Sequence, residues 1–323
     1  MTASTISAIS SRVGRLLVHL SVLDNPADYV LVRALGRTRA LRFRSGLRLT
    51  CSPRNLQKVN TLIGLAYHGA PLVTTVNAPG IEWTFDPDLQ AVVTHSGLRF
   101  SLNLLDSVVL AETFLGETHF NGYDLTGKLI VDVGANVGDT ALYFAQKGAV
   151  VFACEPDPAN FRILCDNIRM NPGLQGRIET IPYAVGRDGQ VDFYAGRRSG
   201  SGMYSGSSRE RIKVQSVSLS TLIRSIGIER PFLMKADCKG CEMDIVEDPA
   251  IALFERVEIE YTLAKTRGNP SRIMDCLRAK GFDRVRVFKH YASDRTLSES
   301  GMIRAEKSPT RADVIGPPET SES

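Results

Sequence analysis

From Leu129 onward, apolar runs of strand length alternate with segments of helical period, and this alternation constrains the fold more than any other feature. Strands that alternate with helices of that length can bury both faces only in a mostly parallel sheet. The spacing predicts a buried strand over 129–133, a helix over 139–147 and a second strand over 150–154. The next helix has Asp157 as its cap, Pro158 in its first turn and Phe161, Leu164, Cys165 and Ile168 on one face; Asn171-Pro172-Gly173 ends it. A third strand is expected over 178–185, and additional strands over 190–195 and 212–217 flank a loop. A helix with Leu219, Leu222, Ile223 and Ile226 inward stops at Gly227. A fourth core strand over 232–236, a helix from Glu242, a strand over 257–261, a helix from Asn269-Pro270 to Gly281 and a hairpin from 284–289 and 301–306 complete the pattern. The expected architecture is α/β: a Rossmann-like, mostly parallel seven-stranded sheet with helices on both faces, preceded by an N-terminal α/β extension.

Three regions follow from this reading: an extension over 1–120, a core domain over 121–307 and a disordered tail over 308–323, where Pro, Ser, Thr and Glu dominate. Over 30–81 the extension carries no acid but eight basic residues, from Arg33 to Lys58. Its bland explanation is a solvated face; the sharper one is a surface for phosphate, anionic lipid or nucleic acid. The whole chain is only mildly basic at +4, and few aromatics are interleaved, which weakens a nucleic-acid role. No apolar run approaches the roughly 18 residues of a membrane span. The first 23 residues are read as a helix packing on its own domain rather than a targeting segment. Six scattered cysteines fit a reducing, cytoplasmic setting better than a disulfide scaffold.

The chemistry concentrates at the carboxyl ends of the predicted strands, where open α/β sheets bind ligands. Asp132-Val133-Gly134-Ala135-Asn136-Val137-Gly138-Asp139 closes the first strand and opens a helix. Gly134 permits a sharp turn and a close ligand, and Gly138 a close helix approach. A dinucleotide fingerprint would need glycines where Asn136 and Asp139 stand, so bulk and negative charge occupy the place of a pyrophosphate. S-adenosylmethionine has no phosphate and tolerates both. Glu155, followed by Pro156, ends the second strand 23 residues after Asp132, where an acid can accept both ribose hydroxyls. Alone it would be read as a helix cap. Lys235, Asp237 and Glu242 surround the end of the fourth core strand, and Glu260 ends the next. Asp237 is the leading candidate for a base or acceptor-orienting group, with Lys235, Glu242 and Glu260 beside it; salt bridging around strand ends is the plainer alternative. No metal ligand set is evident. Cys238-Lys239-Gly240-Cys241 is formally a CxxC, read here as small residues packing between strand and helix, with a redox pair as the alternative.

Taken together, the 131–139 segment, Glu155-Pro156 and Lys235-x-Asp237-x-x-Gly240-x-Glu242 resemble the FkbM-type methyltransferases over 113–307. The resemblance implies a class I methyltransferase sheet, donor binding by the 134–139 turn and Glu155, and methylation of a hydroxyl oxygen on a sugar or small molecule. Lys239 departs from the pattern, which has an acid before the glycine. Two alternatives remain at this point: an RNA methyltransferase using the basic N-terminal region, and a donor-binding protein without catalysis. The loop 196–211, rich in Gly, Ser and Arg, is a candidate lid.

Overall fold

A computed structural model describes residues 19–73, 83–88, 90–119, 122–195, 210–262, 270–290 and 300–308. The expected N-terminal helix lies mostly outside these residues, as do most of the candidate lid and nearly all of the tail. The chain divides into two compact units. One comprises Met1–Tyr123, Asn136–Tyr143 and Arg162–Gly176; the other comprises Asp124–Ala135, Phe144–Phe161 and Arg177–Ser323.

In the first unit, α1 (Pro26–Leu35) has Pro at its start and ends on Gly36 in the left-handed region. Strands β1 (Arg39–Arg42) and β2 (Arg48–Cys51) pair antiparallel and set Arg42 opposite Arg48, so part of the basic run decorates one exposed hairpin. Helix α2 (Leu56–Tyr67) follows, then a four-stranded sheet of β3 (Leu72–Val73), β4 (Trp83–Asp86), β5 (Ala91–Val93) and β6 (Arg99–Ser101), and then α3 (Ser107–Phe114). Asp106 caps α3 by accepting from the Val108 amide at 3.0 Å. Two asparagines hold the edge strand. Asn167 accepts from the Ser101 amide at 2.8 Å, and Asn171 both accepts from the Arg99 amide and donates to its carbonyl. Asn171, read from sequence as a helix terminator, therefore also completes the hydrogen bonding of β6.

The second unit contains β7 (Leu129–Val133), β8 (Val150–Cys154) and β9 (Ile178–Ile181), with α4 (Asp139–Gln146) and α5 (Pro158–Arg169) following β7 and β8 in the chain. Beyond these come β10 (Ala184–Gly186), β11 (Gly189–Ala195), β12 (Glu210–Ser218), α6 (Leu219–Ile226), β13 (Leu233–Ala236), α7 (Glu242–Glu247), β14 (Arg256–Thr262), α8 (Pro270–Ala279), β15 (Arg284–His290) and β16 (Ser300–Glu306). The main sheet has the order β15-β16-β14-β13-β7-β8-β9, with β16 antiparallel to both its neighbours. This is the class I methyltransferase arrangement that the motif resemblance implied. The order reverses at β7, and a crevice opens at such a switch point at the carboxyl ends of the strands.

One expected strand is two. The run 178–185 breaks at Pro182, which has no amide to donate, so β9 joins the main sheet while β10 pairs with β12 in a separate three-stranded sheet. Alternation in the main sheet separates two faces. Val131, Met234, Val257 and Ala305 lie in register on one face and are fully buried. Ile273 and Leu277 of α8 join the same core.

Candidate active site

Where β7 ends, the chain turns at Gly134 with φ of 78°. The amides of Gly134 and Ala135 both donate to the Cys154 carbonyl, at 2.9 and 3.0 Å, and the Asp237 amide donates to the Val133 carbonyl at 3.0 Å. The ends of β7, β8 and β13 are thus tied together through backbone. A Cβ on Gly134 would lie 2.2 Å from the Asp237 carbonyl oxygen. The sequence suggested a ligand as the reason for glycine here; the constraint visible in the structure is the neighbouring backbone. A side chain would push the two strand ends apart.

Asn136, Gly138 and Asp139 belong to the first unit. Asn136 takes φ of 51° and Gly138 φ of 87°, and a Cβ on Gly138 would meet the Leu164 Cδ1 at 2.5 Å. The close helix approach expected for Gly138 is present. The Asp139 carboxylate accepts from the Thr113 hydroxyl at 2.8 Å, in a buried contact. Sequence reading passed over Thr113, because nothing in its local pattern announces a partner 26 residues away.

Two acids follow β8, and the structure separates their roles. Asp157 is the cap of α5, accepting from the Ala159 amide at 2.9 Å. Glu155, buried, accepts from the Asp157 amide at 2.8 Å, while its own amide donates to the Ile181 carbonyl. Asp157 thus caps α5, and Glu155 makes a local backbone contact of its own. Pro156 stiffens the segment between the two acids.

At the end of β13 the candidates split into two levels. Lys235 is buried, and its ammonium lies 3.0 Å from the Asp132 carboxylate and donates to the Gly134 carbonyl at 3.2 Å. It is a tie between β13 and the turn after β7. Asp237, farther along, is partly exposed and pairs with Lys239 at 2.7 Å. Burial works against the Lys239 ammonium, but Asp237 and then Glu260 outweigh it and hold its pKa above the ordinary lysine value. Lys239 itself takes φ of 50°, a left-handed conformation that costs a non-glycine residue on the order of 1 kcal/mol. Glu242 is buried in the first turn of α7 and accepts from the Gly240 amide at 3.0 Å. Burial pushes its carboxyl up to about 7, against the lowering effect of backbone amides.

The same strands carry two charged residues that the sequence reading did not select. Across the face that holds Asp132, the residues in register are Asp132, Lys235, Glu258 and Arg304, one from each of four adjacent strands. Their exposures are 0%, 6%, 6% and 2%. Arg304 pairs with Glu258 at 2.7 Å and lies over the Phe288 ring. The available signal was the parity of Glu258 and Glu260 within an otherwise apolar strand.

Cys238 and Cys241 are joined as a disulfide. This corrects the reading of the CxxC as packing residues alone: the side chains face each other across Lys239 and Gly240. Among the described residues, no group of three or more His, Cys, Asp or Glu side chains is placed to hold a metal ion, and no helix is long and apolar enough to cross a membrane.

Residues 132–284 match the family model of the methyltransferase FkbM domain. The chain is similar to the hexuronic acid methyltransferase AglP of Haloferax volcanii, with 29% identity over 125 residues, which is 38% of this chain and 50% of that relative. The chain thus matches about half the length of the curated relative. Among solved structures, it is similar to the METTL16 methyltransferase domain, at 11% identity and a TM-score of 0.43, covering 88% of this chain and 94% of that one. It is also similar to the magnesium protoporphyrin IX methyltransferase of Synechocystis PCC 6803 with bound SAM, at 13% identity and a TM-score of 0.36, covering 62% and 77%. The family match contains every candidate named above, from Asp132 to Glu260.

Proposed function

We propose that this FkbM methyltransferase domain, within a catalytic region over 121–307, binds S-adenosylmethionine and directs its methyl group to an oxygen of a sugar or other small acceptor. The donor supplies an activated methyl on a sulfonium. Asp132, Gly134, Ala135, Asn136, Gly138 and Asp139, with Glu155 and Pro156, are the residues that would hold it. Support for the fit comes from Glu155: it is a buried carboxylate, beside an α5 cap that Asp157 supplies, standing at the strand end where a ribose diol is accepted. Lys235 fixes the turn by bridging Asp132 and the Gly134 carbonyl. We place the reaction in the cytoplasm.

The observation that carries the acceptor assignment is the Asp237–Lys239 pair at the end of β13, with Glu260 acting on the same ammonium. Asp237 orients the acceptor oxygen and takes its proton as the bond to carbon forms. Glu242 and Glu260 complete the charge around it. Lys239 stands where the resembled family carries an acid, and its ammonium suits an acceptor bearing a carboxylate. The hexuronic acid in the name of the matched relative is an acceptor of that kind. Turnover should therefore be faster on uronic acid glycosides than on the corresponding neutral hexosides, measured as S-adenosylhomocysteine release. Asp237→Asn should lower kcat by about 100-fold or more at unchanged donor affinity. Unchanged kcat in that variant would remove Asp237 from the reaction.

A further inference from the structure

The sulfur pair has no part in methyl transfer as just described, yet it closes on the turn that carries the acceptor-side charges. Cys238 follows Asp237 directly, and Cys241 directly precedes Glu242. Between them, Lys239 and Gly240 take φ of 50° and 138°. That backbone brings the Lys239 ammonium to 2.7 Å from Asp237 and turns the Gly240 amide toward Glu242 at 3.0 Å. One covalent ring therefore spans the contacts of both carboxylates. We propose that Cys238–Cys241 is a reversible thiol–disulfide modification site that sets the conformation of this turn, with a dithiol reductant as its reaction partner. Its effect on catalysis rests on the methyltransferase reading above; the modification itself does not.

Accessibility fixes the direction of attack. Cys241 is fully buried, whereas Cys238 is only partly so. A thiolate of the reductant attacks Sγ of Cys238, the S–S bond breaks, and Cys241 leaves as a thiolate that takes a proton. The second thiol of the reductant then displaces Cys238 from the mixed disulfide, and two electrons have passed to the protein while the reductant has become a disulfide. Opening the ring removes the covalent restraint on Lys239. A non-glycine residue in the left-handed region relaxes when nothing holds it there, and the ammonium leaves Asp237. In a reducing compartment such pairs are characteristically transient or redox-sensing, so the site and a cytoplasmic location are compatible. The remaining four cysteines, Cys51, Cys154, Cys165 and Cys276, take no part in a disulfide.

The test uses the full chain. Air-oxidised protein, unfolded and alkylated with iodoacetamide, should take up four adducts by intact mass, and six after dithiothreitol. In the folded protein, dithiothreitol should speed amide hydrogen exchange in the peptide from Asp237 to Glu242 about tenfold and leave the β7 peptide unchanged. The Cys238→Ser/Cys241→Ser variant should exchange at the fast rate with or without reductant. Six adducts before reduction would overturn the proposal, as would exchange at 237–242 that ignores dithiothreitol; both readings are made on the wild-type chain and do not depend on the variant folding. A protein that shows the thiol response but binds no S-adenosylmethionine would overturn the methyltransferase reading and leave the modification site standing.

Discussion

Glu242 has one oxygen on the Gly240 amide and a second, buried oxygen with no hydrogen-bond partner among the described residues. Burial is the first cause of its raised pKa, about 7 against 4.5 for an ordinary glutamate. A carboxyl raised on folding binds its proton more tightly in the native state, so the protein loses stability as pH rises from about 4.5 through about 7. Below that window the penalty is absent; above it the full penalty applies, on the order of 3 kcal/mol at most. Glu242→Gln keeps the acceptor for Gly240 and removes the charge. Its melting temperature should exceed that of the wild type at pH 8 and match it at pH 4. Equal melting temperatures at both values would show that the carboxyl is not buried as described. Sequence alone selected Glu242 from its motif spacing, but a burial-shifted pKa depends on what packs around it. Glu155 illustrates the converse. Its position after a strand and the capping role of Asp157 were both legible, whereas the contact of its carboxylate with the Asp157 amide required coordinates.

At the scale of elements, strands and helices were legible because hydrophobic period reports directly on which face is buried. The boundaries of β7 and β8 and the stop of α6 at Gly227 were all visible in this way. The division of 178–185 was missed because an apolar run masks a single missing donor at Pro182. The row Asp132, Lys235, Glu258 and Arg304 was missed for a deeper reason: it exists only in the register of four strands far apart in the chain. Such a row is costly to desolvate and is held by its internal pairing, so breaking it from one side leaves a buried, uncompensated charge. Arg304→Met should destabilise the protein by roughly 3–5 kcal/mol in urea denaturation, and adding Glu258→Met should recover most of the loss. A single variant within about 1 kcal/mol of wild type would show that the Glu258–Arg304 pair contributes little, as exposed pairs do.

For the whole molecule, the core fold was readable from sequence because strands alternating with helices build a mostly parallel sheet, and the proposed donor residues were chosen at its strand ends. The N-terminal region was not, since its short strands carry no sustained period and its asparagine contacts to β6 join residues about 70 positions apart. Lys239 was noticed as a departure, but its pairing with Asp237 and the sulfur ring around it required coordinates. The proposed activity requires that this domain bind S-adenosylmethionine with Glu155 on the ribose. Calorimetric titration of the full chain with S-adenosylmethionine and S-adenosylhomocysteine, with NAD as a control, tests it most directly. Saturable binding of both, no binding of NAD, and a loss of about tenfold or more in affinity for Glu155→Ala is the predicted result. Absence of binding to both sulfur compounds, or an affinity untouched by Glu155→Ala, would contradict it.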